Sequence, residues 1–299
     1  MKLPADLVTT LAVAIDEGTL EAAARVLHVT PSAVSQRVRA LEERVGRTLL
    51  VRTRPLRVTE AGEAVVRLAR QLALLEHDTL RALGSDEAGT ARVALAINAD
   101  SLATWFLPAL ARLVEGGDIT VELLRDDQDY TARLLADGSV SAAVTSQSTA
   151  VAGCTVTALG VMSYRAYATP AFVERWFPNG VDAHTLSVAP VIEYDRRDDL
   201  QSRWLRDRGA SSPTRGSGPP RTYVPASHDF ASAVRLGLGW GMLPPMQADA
   251  ALARRQIVEL PGERIPVPLY WQQWDLRSSV LDRVADVVID EARRVLDRS

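Results

Sequence analysis

Five residues in one short span carry the first usable chemistry: Pro31, Ser32, Ser35, Gln36 and Arg39, inside the stretch VTPSAVSQRVRALEERVG at 29–46. An amide such as Gln36 can pair bidentately with an adenine edge, and a guanidinium such as Arg39 can pair with guanine or with phosphate. The same stretch repeats apolar residues at Val34, Val38, Leu41 and Val45, which fall on one stripe of a helix. The five residues are therefore left on the opposite side, at the start of that helix.

Charge concentrates in the same region. The 299-residue chain has a net charge of -3, yet from Arg25 to Val58 eight arginines stand against Glu42 and Glu43, a net of +6. A compact basic segment in an otherwise acidic chain is the footprint of a small phosphate-binding module.

The elements that must position these side chains can be read next. Leu7, Leu11, Ala14 and Ile15 recur at helical spacing, predicting a helix over about 4–17 ended by Gly18. Thr19 caps a short second helix, LEAAARVLH, whose alanines allow a neighbouring helix to approach closely. Thr30 caps the third, with Pro31 at the first helical position, where a missing N–H costs nothing. Two short helices joined by a tight turn follow helix-turn-helix logic. The next stretch, RTLLVRTRPLRVTEAG, sets Arg52, Arg54 and Arg57 around a proline turn between two short extended runs, as a wing along a DNA backbone requires. A three-helix bundle with a solvated polar face is the bland alternative, and the clustered charge argues against it.

Thr59 caps a long helix predicted to run to about Leu83, with Val65, Leu68, Leu72, Leu75, Thr79 and Ala82 stepping by three and four as a heptad seam. Either a second subunit covers that seam or the protein's own core does. GSDEAGT at 84–90 reads as a polar hinge. From Ala91 strands and helices alternate: ARVALAIN, a helix over 102–115, ITVELLR, a helix over 128–136, and VSAAVTS. Strands near 163–168, 189–194, 221–224, 239–243 and 256–260 form a second such unit, with RGASSPTRGSGPPR as a surface loop. VPLYWQQ and a helix over 278–297 return to the first unit. This is α/β organisation with largely parallel buried strands, and its ligands are expected at the strand ends.

Bulk composition removes several classes. One cysteine, Cys154, excludes an internal disulfide and a cysteine zinc cluster, and suits a reducing cytoplasm. Asp6, Asp16 and Glu17 interrupt the N-terminal apolar pattern, unlike a signal peptide, and no uncharged apolar run approaches the roughly 20 residues of a membrane span. No Gly-x-Ser-x-Gly, His-Glu-x-x-His or P-loop occurs, and histidines 28, 77, 184 and 228 are scattered. No enzyme, cofactor or metal is expected. LGLGWGMLP fails as a dinucleotide fingerprint because Met242 occupies the third glycine position.

The run AAARVLHVTPSAVSQRVRALEERVGRTLLVRTRPLRVTEAG resembles the winged helix-turn-helix of LysR-type transcriptional regulators along its whole length. Leu50 stands where that family usually has Phe, and Gln36 where a basic residue is common. The resemblance implies that Pro31, Ser32, Ser35 and Gln36 face a DNA major groove, with Arg52 and Arg54 near phosphates; Thr30 and Arg39 join them as candidate DNA-binding residues. It implies a winged helix-turn-helix over 1–58, a linker helix over 59–84 that dimerises, and a hinge at 85–90. A two-lobed α/β effector domain of periplasmic-binding-protein type would follow over 91–299, with lobe I at about 91–160 and 265–299 and lobe II at about 161–264. Homotetramers, and contact with RNA polymerase in an activator, are further implications.

AINADSLATWFLPAL, RWFPNGV and APVIEYDRRDDLQ look, more narrowly, like the ArgP/LysG subgroup, which senses lysine and arginine and controls export of basic amino acids. Such an effector presents a carboxylate, an α-ammonium and a distant cation. Asn98, Asp100 and Ser101 lie between a strand and its helix, where Ser101 and backbone N–H groups suit the carboxylate. Asp126, Asp127 and Asp129 follow the second strand and offer acceptors for ammonium groups. Thr145 ends the third strand, and Asp229 opens a helix of the second lobe. Two alternatives stay open: a regulator with another effector, such as an aromatic acid, or a binding module whose N-terminal region serves only assembly.

Overall fold

A computed structural model describes residues 2–85, 89–125, 128–210 and 218–298. By their contacts the residues form two compact units, Met1–Ile97 with Leu110–Thr157 and Trp271–Val288, and Asn98–Ala109 with Ala158–Tyr270 and Ile289–Ser299. No helix among the described residues is long and apolar enough to cross a membrane.

The first unit begins with α1 (Ala5–Asp16), α2 (Leu20–Val26) and α3 (Pro31–Val45). Thr19 accepts the Ala22 N–H at 3.1 Å and Thr30 accepts the Ala33 N–H at 3.2 Å, so both caps form as their sequence positions predict. Leu7, Val8, Leu11, Val38 and Leu41 pack with Leu49, Leu50, Val65, Val66 and Ala69 in one core. Each such valine or leucine contributes about 1.5–3 kcal/mol by its burial. Ala23 and Ala24 pack beside Val34 in a second cluster, where larger side chains would hold α2 and α3 apart. The wing is a short antiparallel pair, β1 (Leu50–Val51) and β2 (Arg57–Val58), with Leu50 opposite Val58.

Thr59 caps α4 (Glu60–Ala82), accepting the Gly62 N–H at 3.1 Å. The predicted heptad seam divides: Val65 is buried in the N-terminal core, while Leu72 and Leu75 remain 36% and 37% exposed.

The same unit continues with β3 (Ala91–Ile97), β4 (Ile119–Arg125), α7 (Gln128–Ala136) and β5 (Ala142–Thr145), and includes most of α13 (Ser279–Val295). Strand β3 runs parallel to both β4 and β5. Val93, Leu95, Ala96 and Ile97 are all buried, which explains the near-continuous apolar run of that strand.

Helical structure between β3 and β4 starts earlier than the sequence pattern predicts. It comprises α5 (Ala99–Ser101), a π-helical turn over Leu102–Phe106, and α6 (Leu107–Val114). The reason is Asn98, whose side chain accepts the Ser101 N–H at 3.3 Å and caps the helix there. A further correction concerns β6 (Cys154–Ala168), which begins well before residue 163 and is divided between the units. β11 (Ile265–Trp274) is divided in the same way.

In the second unit β6 is followed by α8 (Pro170–Trp176), α9 (Ala183–Val188), β7 (Val191–Glu193), α10 (Leu200–Arg206), β8 (Arg221–Tyr223), α11 (Ser227–Arg235), β9 (Gly241–Leu243), α12 (Pro245–Ala253) and β10 (Val258–Glu259). β7 and β8 are parallel, but β6 pairs antiparallel with both β9 and β10. The expectation of largely parallel strands therefore fails around β6, the strand that brings the chain in from the other unit. The core gathers Tyr167, Ile192, Phe230, Val234, Leu243 and Ile257. Gly241 is required within the LGLGWGMLP stretch: a Cβ there would stand 2.9 Å from the Phe230 ring.

Candidate DNA interface and effector site

Helix α3 buries Val34, Val38 and Leu41 and leaves Pro31, Ser32, Gln36 and Arg39 exposed, with Ser35 half-buried. Thr30 is also exposed, and its hydroxyl lies 2.9 Å from that of Ser32. Arg52 and Arg54 are exposed on the wing beside α3's module, as is Arg57. Among the described residues none of Arg39, Arg52, Arg54 and Arg57 forms an ion pair.

Glu42, one of only two acids in the basic segment, is turned inward. Its Oε1 accepts the backbone N–H groups of Leu49 at 2.8 Å and Leu50 at 3.3 Å, fixing the start of the wing. The segment's positive charge thus faces outward while an acid does structural work inside it. Sequence reading missed this role, although Glu42 lies on the core side of the apolar stripe, next to Leu41.

The predicted effector residues divide into three groups. Asn98, Asp100 and Ser101 come together with Ser227 in the second unit. Asp100 Oδ2 accepts the Tyr164 hydroxyl at 2.7 Å and Oδ1 accepts the Ser227 hydroxyl at 2.6 Å. Gln247 Nε2 donates to the Ser227 oxygen at 2.7 Å. One carboxylate therefore joins the start of α5, strand β6 and helix α11, and Ser227 extends the network to α12. Ser101 is fully buried and, among the described residues, its hydroxyl has no hydrogen-bond partner, an arrangement that costs free energy.

Asp229 sits two residues from Ser227, exposed in the first turn of α11, and it is Ser227 rather than Asp229 that enters the network. Thr145 belongs to the first unit, buried, accepting the Gln147 N–H at 3.1 Å. Asp126 and Asp127, and the side chain of Asp129, lie outside the described residues.

Asp198, in the YDRRDD run, was not assigned a role by sequence. It accepts the N–H groups of Leu200 at 3.1 Å and Tyr194 at 3.4 Å. Burial pushes its carboxyl above the usual aspartate range; the backbone N–H groups oppose that shift, and the Asp100 charge adds to it. Burial likewise pushes the Tyr164 phenol well up, and the Asp100 carboxylate reinforces it, so Tyr164 stays a neutral donor. Among the described residues neither Asp100 nor Asp198 has an ion-pair partner.

Comparison with known proteins bears on both regions. Residues 5–63 match the bacterial regulatory helix-turn-helix protein of the lysR family, and residues 84–296 match the LysR substrate binding domain. The lysine export transcriptional regulatory protein LysG of Corynebacterium efficiens is 44% identical over 286 residues, covering 95% of this chain and 96% of that protein. The crystal structure of ArgP from Mycobacterium tuberculosis is similar with a TM-score of 0.89 at 40% identity, covering all of both chains. Full-length LysG of Corynebacterium glutamicum with bound effector Arg gives a TM-score of 0.79 at 38% identity, over 99% of this chain and 100% of that one.

Proposed function

The chain belongs to the LysR family of bacterial transcriptional regulators, and from that premise we propose that it responds to a basic amino acid, arginine or lysine, and controls a gene for exporting it. It is a DNA-binding regulator and not an enzyme. Thr30, Pro31, Ser32, Ser35 and Gln36 enter the major groove, and Arg39, Arg52 and Arg54 neutralise phosphates. Two copies pair through the half-exposed Leu68–Leu72–Leu75 stripe of α4, matching two half-sites on one operator, and pairs associate into tetramers. The protein works in the cytoplasm, and as an activator it would present itself to RNA polymerase.

One observation carries the effector reading: among the described residues two interacting carboxylates, Asp100 and Asp198, stand without a cation, and the buried hydroxyl of Ser101, next to Asp100 in the chain, lacks a partner. A basic amino acid supplies what each lacks. Its carboxylate accepts from Ser101, and an ammonium or guanidinium offsets the repulsion between the two aspartates. Asn98 and Asp100 hold the helix start in position for this. Asp229, exposed in the first turn of α11, is included in the proposed site. Because ligand can shift only an equilibrium between states it binds unequally, the effector favours one arrangement of the domain and thereby changes operator affinity.

Calorimetry with arginine, lysine, histidine and benzoate tests the effector class. Binding of arginine or lysine with silence from benzoate is expected. Tight benzoate binding with no heat from the basic amino acids would overturn it.

A further inference from the structure

Two arginines of α4 make contacts that neither DNA binding nor effector binding calls for, all within the first unit. Arg67 donates to the Ala152 carbonyl through Nη1 at 3.3 Å and Nη2 at 3.4 Å, and to the Gly153 carbonyl through Nη2 at 3.1 Å. Its guanidinium carbon lies 5.9 Å from the Trp274 ring centroid. Arg70, one turn further along, donates through Nη1 to the Gly138 carbonyl at 2.5 Å and through Nη2 to the carboxylate of Asp16, the last residue of α1. Two turns beyond, Asp78 accepts the backbone N–H of Ser279 at 3.1 Å and its hydroxyl at 2.6 Å, at the start of α13.

The fit is too close to be incidental. A Cβ at Gly138 would lie 2.6 Å from the Arg67 Cβ and 2.7 Å from its Cα, so no side chain is tolerated there. The acceptors also occupy particular places in the chain. Gly153 immediately precedes β6 and Trp274 ends β11, the two strands divided between the units. Arg70 alone grips a residue of the DNA-binding module and a residue of the effector domain with opposite ends of one planar fork. Lysine, whose three donors share one nitrogen, lacks the spaced planar fork that meets these two acceptors.

We propose that Arg67 and Arg70 form a clamp that couples the DNA-binding module to the roots of β6 and β11. A ligand-driven change in those strands then moves the module directly, in parallel with the chain connection through 84–90. The clamp is the shared element that reciprocal coupling between two sites requires. This inference rests on the effector reading above for the ligand, but the contact itself does not.

The test uses the full chain and the substitutions Arg70→Ala and Arg70→Lys, with three readouts. Operator dissociation constants are measured with and without saturating arginine, arginine affinity is measured alone, and hydrogen exchange is followed at 137–141. Those amides bond to Arg133, Leu134, Ala94 and the Asp137 side chain, so their protection is measurable. The wild type should show an arginine-dependent operator ratio of about fivefold or more, and both variants less than about twofold, with arginine affinity within about twofold of wild type. Exchange at 137–141 should accelerate in both. Variants that keep the wild-type operator ratio, or unchanged exchange, would overturn the clamp. A wild type that binds operator but ignores arginine contradicts the effector reading instead, and the exchange result then decides the clamp by itself.

Discussion

Around α3 and the wing, Arg39, Arg52, Arg54 and Arg57 meet solvent without a carboxylate partner among the described residues, whereas in the second unit Asp100 has both oxygens occupied by the hydroxyls of Tyr164 and Ser227. The first region keeps its charge for a partner of opposite sign along an open surface. The second builds its charge into a packed network and presents a half-buried Asp198 and a buried Ser101 beside it. A surface that must read a long polyanion gains from free guanidinium groups. A site that must recognise one small molecule gains from groups held in place before it arrives.

That contrast can be broken by substitution. The largest effect is expected from Asp100→Ala, which removes the oxygen acceptors of the buried Tyr164 and Ser227 hydroxyls. Urea denaturation should show a loss of about 2–3 kcal/mol, together with loss of arginine binding, and unaltered stability would contradict the network's role. Gln36→Ala should leave folding intact and relax discrimination at one operator base pair by about 1–2 kcal/mol, visible as a changed footprint or competition pattern. A pattern identical to wild type would remove Gln36 from base reading. Arg54→Ala should weaken binding to all sequences alike and reduce the slope of log affinity against log salt by about 1. A sequence-selective loss would instead make Arg54 a base contact.

The smallest effect concerns pH. Because the folded protein holds the Asp198 carboxyl above its unfolded value, this group's contribution to stability is fully present below the unfolded value and fades as pH rises through the folded one. A bound cation favours the ionised carboxylate. Arginine affinity should therefore weaken as pH falls through that raised value, with proton release on binding in that range and little change at neutral pH. Identical heats in buffers of different ionisation enthalpy across that range would count against Asp198 as the cation's partner.

The two regions also differ in how far the sequence discloses them. The DNA module is local: Thr19, Thr30 and Thr59 act on residues three positions away, and Val34, Val38 and Leu41 state their burial through helical spacing. Its exposed face could be read without knowing the rest of the fold. Asp100 could be placed at a helix start but not given its partners, which lie 64 and 127 residues further along the chain. The two divided strands misled for a similar reason. Their directions follow from which unit the chain leaves, and periodicity carries no such information, so β6 was expected to be shorter and its neighbours parallel. Within a single motif, PASHDFASAV, the charged Asp229 drew the assignment while Ser227 made the contact.

The central claim is that one chain joins a free guanidinium face to a separate unit that senses a basic amino acid. Fluorescence anisotropy of a labelled fragment from its own upstream region, titrated with full-length protein at low ionic strength with and without arginine, addresses it most directly. The account predicts specific binding that weakens steeply with salt and whose midpoint shifts when arginine is added. No binding beyond that of unrelated DNA, under either condition, would contradict it.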